Sequence, residues 1–266
     1  FENHNNTFST KQHSVNVYKV QGQSAQAKIL NQVINVDEKS DEEISTTAII
    51  FADESLLMPA LQTLDDQIDL NVTMGFALAN STVFGLADLW LTTQLELKEA
   101  DKVTYQTLEA FVTHPLTGLT SKLKANIQEA LLKDNVVNID LARLQKQGGI
   151  FEKFYHKVDE PAKLVNELLS VMRFLLTRLS SQKSLKKIDA DLFVKTIEEL
   201  TRLNDTLKDF VKDEEFHFIV QLIQKSLKSV SVPLSGDPLK GIQMMGLLES
   251  RNLNFDNIVF LGFNEG

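Results

Sequence analysis

The chain has 266 residues, of which 43% are hydrophobic and 24% charged, and its formal net charge is −9, an ordinary composition for a globular protein. It contains no cysteine, which excludes disulfides, cysteine-ligated zinc, iron–sulfur clusters and thiol catalysis. The acidic balance excludes strong DNA binding by overall charge alone, but residues 120–229 carry 19 Lys and Arg against 16 Asp and Glu, which leaves room for a local contact.

Residues 1–13 are polar, and we expect them to be disordered. The chain then alternates strand-like and helix-like patterns, and Asp53 and Ser55 offer helix caps directly after a fully apolar run. The order strand–helix–strand–helix–strand predicts an α/β layer with a parallel sheet. The predicted strands cover residues 14–20, 46–52 and 69–74, and the predicted helices cover residues 24–39 and 54–64.

Residues 82–230 have a different hydrophobic pattern. Six segments show apolar residues at three- and four-residue spacing, with little strand pattern between them and no fixed-period repeat. This pattern predicts an all-α bundle of about 150 residues. Within it, Trp90 lies on an apolar stripe typical of a core, His114 precedes a proline at a helix end and suits a cap, and His217 suits a helix surface.

Strand-like sequence returns after a Pro- and Gly-rich connection at residues 231–241. The runs 242–248 and 257–263 are apolar, and we expect them to complete the sheet that the first strands begin. The chain is therefore predicted to hold one discontinuous α/β domain, formed by residues 14–81 and 231–266, with residues 82–230 inserted as a helical bundle.

The sequence offers little for catalysis. No GxxxxGK[ST] phosphate loop and no GxGxxG element occurs, the five histidines are scattered without an HExxH pair, and adjacent carboxylates are typical of solvated helix faces. Asp256 and Glu265 bracket a strand but lack the Asp-x-Lys or Glu-x-Lys element of a two-metal nuclease. We therefore expect no cofactor, no metal and no catalytic residue in this chain.

The stretch 242–266 resembles a conserved element in the second RecA-like domain of superfamily I DNA helicases. Arg251 stands at the position of a conserved Lys. Other residues depart from the element: Gly246 replaces a Thr, Leu248 a His, Asn252 a Gly, and Asn254 a Glu that helps to hold nucleotide in active motors. The matching residues are Met245, Leu253, Phe255, Val259, Gly262, Glu265 and Gly266.

The lost polar positions make the chain similar to the inactivated helicase-like region of AddB/RecC-type proteins of bacterial double-strand break repair. The version in which such a region precedes a PD-(D/E)XK nuclease is the most similar. Three further segments agree with this resemblance: "TTAIIFADESLLMPALQTL" from residue 46, the strand that ends at Gly75-Phe76, and the turn "TLEAFVTHPLTG" from residue 107.

The resemblance implies a RecA-like parallel sheet that lacks a phosphate loop and carries a large helical insertion. It also implies a fragment, with a first motor domain upstream and a nuclease downstream of Gly266. The expected function is a catalytically inactive scaffold that binds or guides DNA and holds a helicase or nuclease partner subunit in recombinational repair. The polar N-terminus and the lack of a long apolar window lead us to expect a cytoplasmic protein without membrane contact.

Loops that follow parallel strands are where α/β sheets place ligands, so the candidate DNA contacts lie there. Arg251 is the foremost candidate for a phosphate, and the competing reading is an ion pair with Glu249 or Asp256. The candidates are Thr73, Met74, Gly75, Gly246, Glu249, Ser250 and Arg251, and the degenerate nucleotide-site positions are Asn252 and Asn254.

Two alternatives remain open on the sequence. In the first, the parent protein is itself an active ATP-dependent exonuclease and this chain is its structural middle. In the second, the chain is an unrelated α/β enzyme with a helical cap, a reading weakened by the missing nucleophile motif, glycine loop and metal cluster.

Overall fold

The computed structural model describes seven stretches of the chain, which comprise residues 14–34, 40–64, 68–134, 137–183, 185–207, 215–233 and 241–264. The strands are β1 (Thr47–Phe51), β2 (Leu70–Val72), β3 (Gly75–Ala77), β4 (Lys102–Thr104), β5 (Asn138–Asp140), β6 (Ser231–Pro233), β7 (Ile242–Gly246) and β8 (Asn257–Leu261). The helices are α1 (Gln23–Lys28), α2 (Leu30–Ile34), α3 (Asp41–Ser45), α4 (Leu57–Thr63), α5 (Thr82–Glu99), α6 (Tyr105–Thr113), α7 (Ser121–Asp134), α8 (Leu141–Gln145), α9 (Gly149–Phe154), α10 (Leu164–Ser181), α11 (Lys187–Leu207) and α12 (Phe216–Lys228).

Four strands form a parallel sheet in the order β2–β7–β1–β8. β1 and β7 are buried along their whole length, as continuous apolar runs in the interior of a parallel sheet usually are. The two C-terminal strands thus join β1 and β2, as predicted, whereas the third predicted member, residues 14–20, does not belong to this sheet. The prediction of an α/β fold with a parallel sheet is confirmed.

The two faces of the sheet are covered unequally. Ile49, Phe51 and Met244 belong to the main hydrophobic core, together with apolar residues of α1, α2 and α4. On the opposite face Ala48, Ile50 and Met245 form a small separate cluster, against which Phe255 packs. The sheet is therefore a well-filled layer on its helical side and thinly covered on the other.

The prediction of a strand at residues 14–20 is wrong. The segment has no regular secondary structure, and Val15 and Val17 are 81% and 89% exposed. Alternating side chains suit a strand only when a neighbouring strand accepts its backbone hydrogen bonds, and in the described chain no strand pairs with this segment. The predicted tail, residues 1–13, lies outside the described residues.

The helix predicted for residues 24–39 is also only partly correct. α1 and α2 occupy its first part and break at Ile29, while residues 35–39 lie outside the described residues. The short helix α3 was not predicted. Its start carries a capping arrangement that the sequence shows in retrospect, because Glu43 N–H donates to Ser40 Oγ at 3.3 Å and Ser40 N–H donates to Glu43 Oε2 at 3.0 Å.

Helices make up most of the described part of residues 82–228, with α5 at their centre. α5 begins at the N-cap Ser81, whose Oγ accepts a hydrogen bond from Phe84 N–H at 3.0 Å. It packs against α6, α10, α11 and α12, and Trp90 is buried as predicted. The sequence analysis did not predict the short antiparallel pair β4–β5. Each strand has three residues, which are too few to show the alternating apolar pattern of a strand.

The beginning and end of this helical region lie next to each other. β3 pairs antiparallel with β6, and Leu78 N–H donates to the carbonyl of Val230 at 2.9 Å. The pairing joins the segment that leaves the sheet after β2 to the segment that leads back toward β7. The predicted division into a sheet domain and an inserted bundle stays a prediction, and its two boundaries are adjacent in space.

Candidate functional site at the carboxyl edge of the sheet

The carboxyl ends of the four parallel strands define one edge of the sheet, here called the carboxyl edge. The chain leaves β1 toward β2 in one direction, whereas it leaves the neighbouring strand β7 toward β8 in the other. Such a change of direction between adjacent strands opens a crevice where α/β proteins bind ligands. Phe51 and Gly246 end these two strands opposite each other in register.

The predicted residues after β2 lie at this edge but differ in accessibility. Thr73 is exposed, and its backbone N–H donates to the carbonyl of Met244 at 3.0 Å, which fixes it beside the end of β7. Met74 is buried and packs in the core, so its side chain is not available to a ligand. Gly75 is exposed and already paired with Pro233 in the β3–β6 pair.

The segment after β7 folds into consecutive turns that begin at Gly246. Ser250 N–H donates to the carbonyl of Gly246 at 3.3 Å, and Leu253 N–H donates to the carbonyl of Ser250 at 3.3 Å. A Cβ at Gly246 would lie 2.5 Å from Oε2 of Glu249, so the Glu249 carboxylate folds back over the strand end. Gly246, Glu249 and Ser250 therefore lie together in the loop after β7, and their predicted contact with DNA stays a prediction.

Arg251, Asn252 and Asn254 are all exposed. No ion pair connects Arg251 to Glu249 or Asp256 in the part of the chain that the structure describes, which leaves the guanidinium open to solvent. Asn252 has φ +63°, a left-handed conformation that glycine adopts freely and that asparagine tolerates better than most residues.

The remainder of this segment crosses the thinly covered face of the sheet. Phe255 packs on the small cluster there, and Asp256 N–H donates to the carbonyl of Thr46 at 3.1 Å, at the opposite edge. Arg251 lies between the turns at the carboxyl edge and this crossing. One continuous segment, residues 246–256 and here called the strap, therefore joins both edges of the sheet. It holds the predicted residues Gly246, Glu249, Ser250, Arg251, Asn252 and Asn254, whereas Thr73, Met74 and Gly75 lie after β2.

The charge at the carboxyl edge is mostly negative. Asp53 and Glu54 follow β1, Glu249 follows β7, and Arg251 is the cation of the same loops among the described residues. The side chain of Asp53 accepts a hydrogen bond from Ser55 N–H at 2.9 Å, as the capping prediction requires, and hydrogen bonding with Ser55 lowers the pKa of Asp53. The Asp53 carboxyl is therefore ionised at neutral pH, which disfavours a polyanion at this edge.

Gln26 also lies at the carboxyl edge, although no sequence pattern predicts it there. Gly262 N–H donates to Oε1 of Gln26 at 3.1 Å, and the Gln26 amide donates to Oδ1 of Asn264 at 3.0 Å. These bonds connect α1 to the chain after β8, 236 and 238 positions away. A lone glutamine in a helix carries no spacing pattern, so only the fold reveals its contact.

The remaining candidates behave as structural residues. Nδ1 of His114 accepts a hydrogen bond from Leu116 N–H at 3.2 Å, which makes it the predicted cap, and His217 is exposed on α12 beside Gln221. Glu265 and Gly266 lie outside the described residues. Across the described stretches, no three His, Asp or Glu side chains are grouped so that they could hold a metal ion.

No protein-family model matches the chain, and no curated protein sequence matches it. Within the described residues, none of the helices has both the length and the apolar content that a membrane crossing requires.

Proposed function

We propose that this chain is a catalytically inactive, helicase-like scaffold that binds or guides DNA and holds partner domains during recombinational repair. The observation that carries the proposal is the placement of the helicase-like stretch. Its two strands, β7 and β8, flank β1 in a parallel sheet, and its departures from the helicase pattern lie on the strap between them. A RecA-like domain with a helical insertion is the fold that this arrangement supports.

The departures from the helicase pattern differ in their physical consequences. Asn252 occupies a left-handed turn where the helicases have Gly, so this change is compatible with the same backbone path. Gly246 and Asn254, in contrast, remove a hydroxyl and a carboxylate from the loop. The loss of these groups, together with the missing phosphate loop, supports a scaffold that does not turn over nucleotide.

A contact with partner domains is supported by the thinly covered face of the sheet. Ile258 and Phe260 on β8 are 47% and 50% exposed, and Phe263 just after the strand is 85% exposed. β8 is an edge strand in the sheet as described, so its outer backbone groups face no strand there. Contiguous exposed apolar surface of this kind is typical of interaction sites.

Two titrations test the proposal. Calorimetry of the chain with Mg-ATP is expected to show no binding, and micromolar affinity would contradict an inactive motor. Fluorescence anisotropy with forked and single-stranded DNA is expected to show binding at 50 mM salt that weakens steeply as salt rises, because phosphate contacts release counterions. If the chain binds no DNA at low salt, either alone or with a partner subunit, the DNA role is lost.

A further inference from the structure

The carboxyl edge is acidic, so a DNA backbone needs another surface on this chain. Two stretches of the helical region hold no Asp or Glu, residues 110–128 and residues 168–188. The first carries Lys122 and Lys124. The second carries Arg173, Arg178, Lys183, Lys186 and Lys187. In a chain of net charge −9, such stretches concentrate positive charge locally.

The fold brings these two stretches together at one end of the helical region. Gly118 has φ +62°, and a Cβ there would lie 2.6 Å from Oε1 of Gln182 and 3.5 Å from Nε of Arg178. The turn at residues 114–120 is thus pressed against the C-terminal end of α10. Lys124 extends back over the same turn, where its Nζ donates to the carbonyl of His114 at 3.3 Å.

The start of α11 lies at the same end. Thr82 Oγ1 donates to Oδ1 of Asp189 at 3.3 Å, and the Thr82 backbone hydrogen-bonds to His114. Burial raises the pKa of the Asp189 carboxyl, and the charge of Lys186, three positions before it, acts in the opposite direction. Lys122, Lys124, Arg178, Lys183 and Lys186 therefore belong to segments that meet at one turn, and we call this set the basic end.

In the part of the chain that the structure describes, these cations are not neutralised by salt bridges. Among the described residues none of the five forms an ion pair, and Nε of Arg178 is buried without a hydrogen-bond partner. The nearby acids of α11, Asp189 and Asp191, are both partly buried. A partly buried guanidinium without a partner lowers the stability of the fold, because part of it has lost its hydration. An anion bound at its exposed side would recover some of that free energy.

We propose that the basic end is a binding surface for the phosphate backbone of DNA. This inference rests on the proposed function, and it moves the main backbone contact from the sheet edge to the helical region. The basic end also lies beside the segment that leaves Thr73, because β3 and residues 78–80 lead directly into α5.

The test compares two triple variants of the whole chain that change the net charge equally. The first replaces Lys122, Lys183 and Lys186 with Glu. The matched control replaces Lys19, Lys28 and Lys146, which are equally exposed and lie outside the basic end. Circular dichroism and urea unfolding establish that both variants remain folded.

The basic-end variant is expected to bind DNA at least ~10-fold more weakly at 50 mM salt. The magnitude of its slope of log affinity against log salt is expected to fall by about 2 to 3, since each of the three lost phosphate contacts removes about 0.7 to 0.9. The control variant should stay within about threefold of the unaltered chain. Equal losses of DNA affinity in both variants, or no loss in either, would overturn the proposal that DNA binds at the basic end. The proposed DNA role of the chain would still stand. Absence of DNA binding by the unaltered chain, alone and with a partner subunit, instead overturns both the basic end and the DNA role.

A second measurement needs no variant. Amine-reactive labelling of the unaltered chain, read by mass spectrometry, is expected to show at least ~5-fold protection of Lys122, Lys183 and Lys186 by DNA at low salt. Protection of Lys19, Lys28 and Lys146 should be absent. Uniform protection of both sets, or none, contradicts a DNA surface at the basic end.

Discussion

The side-chain amide of Asn71 donates a hydrogen bond to Oε1 of Gln243 at 2.6 Å, between β2 and β7 and across 172 positions of the chain. Both side chains are buried, and the Gln243 amide donates in turn to the carbonyl of Gly241 at 3.2 Å. This polar pair joins the part of the sheet that precedes the helical region to the part that follows it. The register of β2 against β7 therefore depends on a specific contact as well as on apolar packing.

Replacing Asn71 with Leu is expected to lower the free energy of unfolding by about 1–3 kcal/mol, because it leaves the buried Gln243 oxygen without a donor. Replacing both Asn71 and Gln243 with Leu should recover part of this loss, since no buried polar partner is then left behind. Urea unfolding of Asn71→Leu, Gln243→Leu and the double variant measures the coupling between the two side chains. Strictly additive losses would show that the pair does not act as a unit.

The turn at Asn252 gives a test of the strap. Asn252→Ala is expected to lower the unfolding free energy by about 1 kcal/mol, because a residue with a Cβ and no polar side chain is disfavoured at φ +63°. Asn252→Gly should be neutral or slightly stabilising. The same urea experiments measure both changes, and an alanine variant as stable as the glycine variant would contradict the left-handed turn.

The unequal faces of the sheet predict unequal effects of two isoleucines. Ile49→Ala is expected to lower the unfolding free energy by about 2–5 kcal/mol, since this side chain is fully buried in the main core. Ile258→Ala, on the neighbouring strand and opposite face, should cost less than about 1 kcal/mol in the isolated chain. Thermal unfolding monitored by circular dichroism compares them. A large effect at Ile258 would mean that this face is already covered.

The sequence predicted the central strands well because their burial on both faces leaves a continuous apolar run. It could not predict which strands are neighbours, since Asn71 and Gln243 carry no pairing information before the fold is known. It failed at Val15 and Val17, where an alternating pattern suits a strand but no neighbouring strand pairs with it in the described chain.

The sequence could predict which loop residues belong to the candidate site. It could not predict the charge of the surface that these loops form together. The carboxylates of Asp53 and Glu249 are distant in sequence, and only the parallel order of β7 and β1 places them at one edge. The same limit applies to the basic end, where the contact of Gly118 with Arg178 joins two stretches that the sequence shows only as locally free of acids.

His114 provides a prediction for pH. Burial lowers the pKa of His114 from 6.5 to about 4, and the charge of Lys124 acts in the same direction. The folded chain therefore binds this proton less readily than the unfolded chain, so the stability that His114 contributes is present above pH 6.5 and is lost as pH falls toward 4. Between pH 7 and pH 5 the loss is expected to be about 1–2 kcal/mol, after allowance for the partial exposure of the ring.

The variant His114→Asn isolates this effect, because the Asn oxygen can accept the Leu116 N–H bond without titrating in this range. The variant is expected to be somewhat less stable than the unaltered chain at pH 7.5, and the difference should shrink or reverse by pH 5, since the other titrating groups are shared. Urea unfolding at both pH values measures the change. A constant difference between the two chains would show that His114 has the same pKa in the folded and the unfolded state. It would contradict the assignment of His114 as a neutral cap at the turn that follows α6.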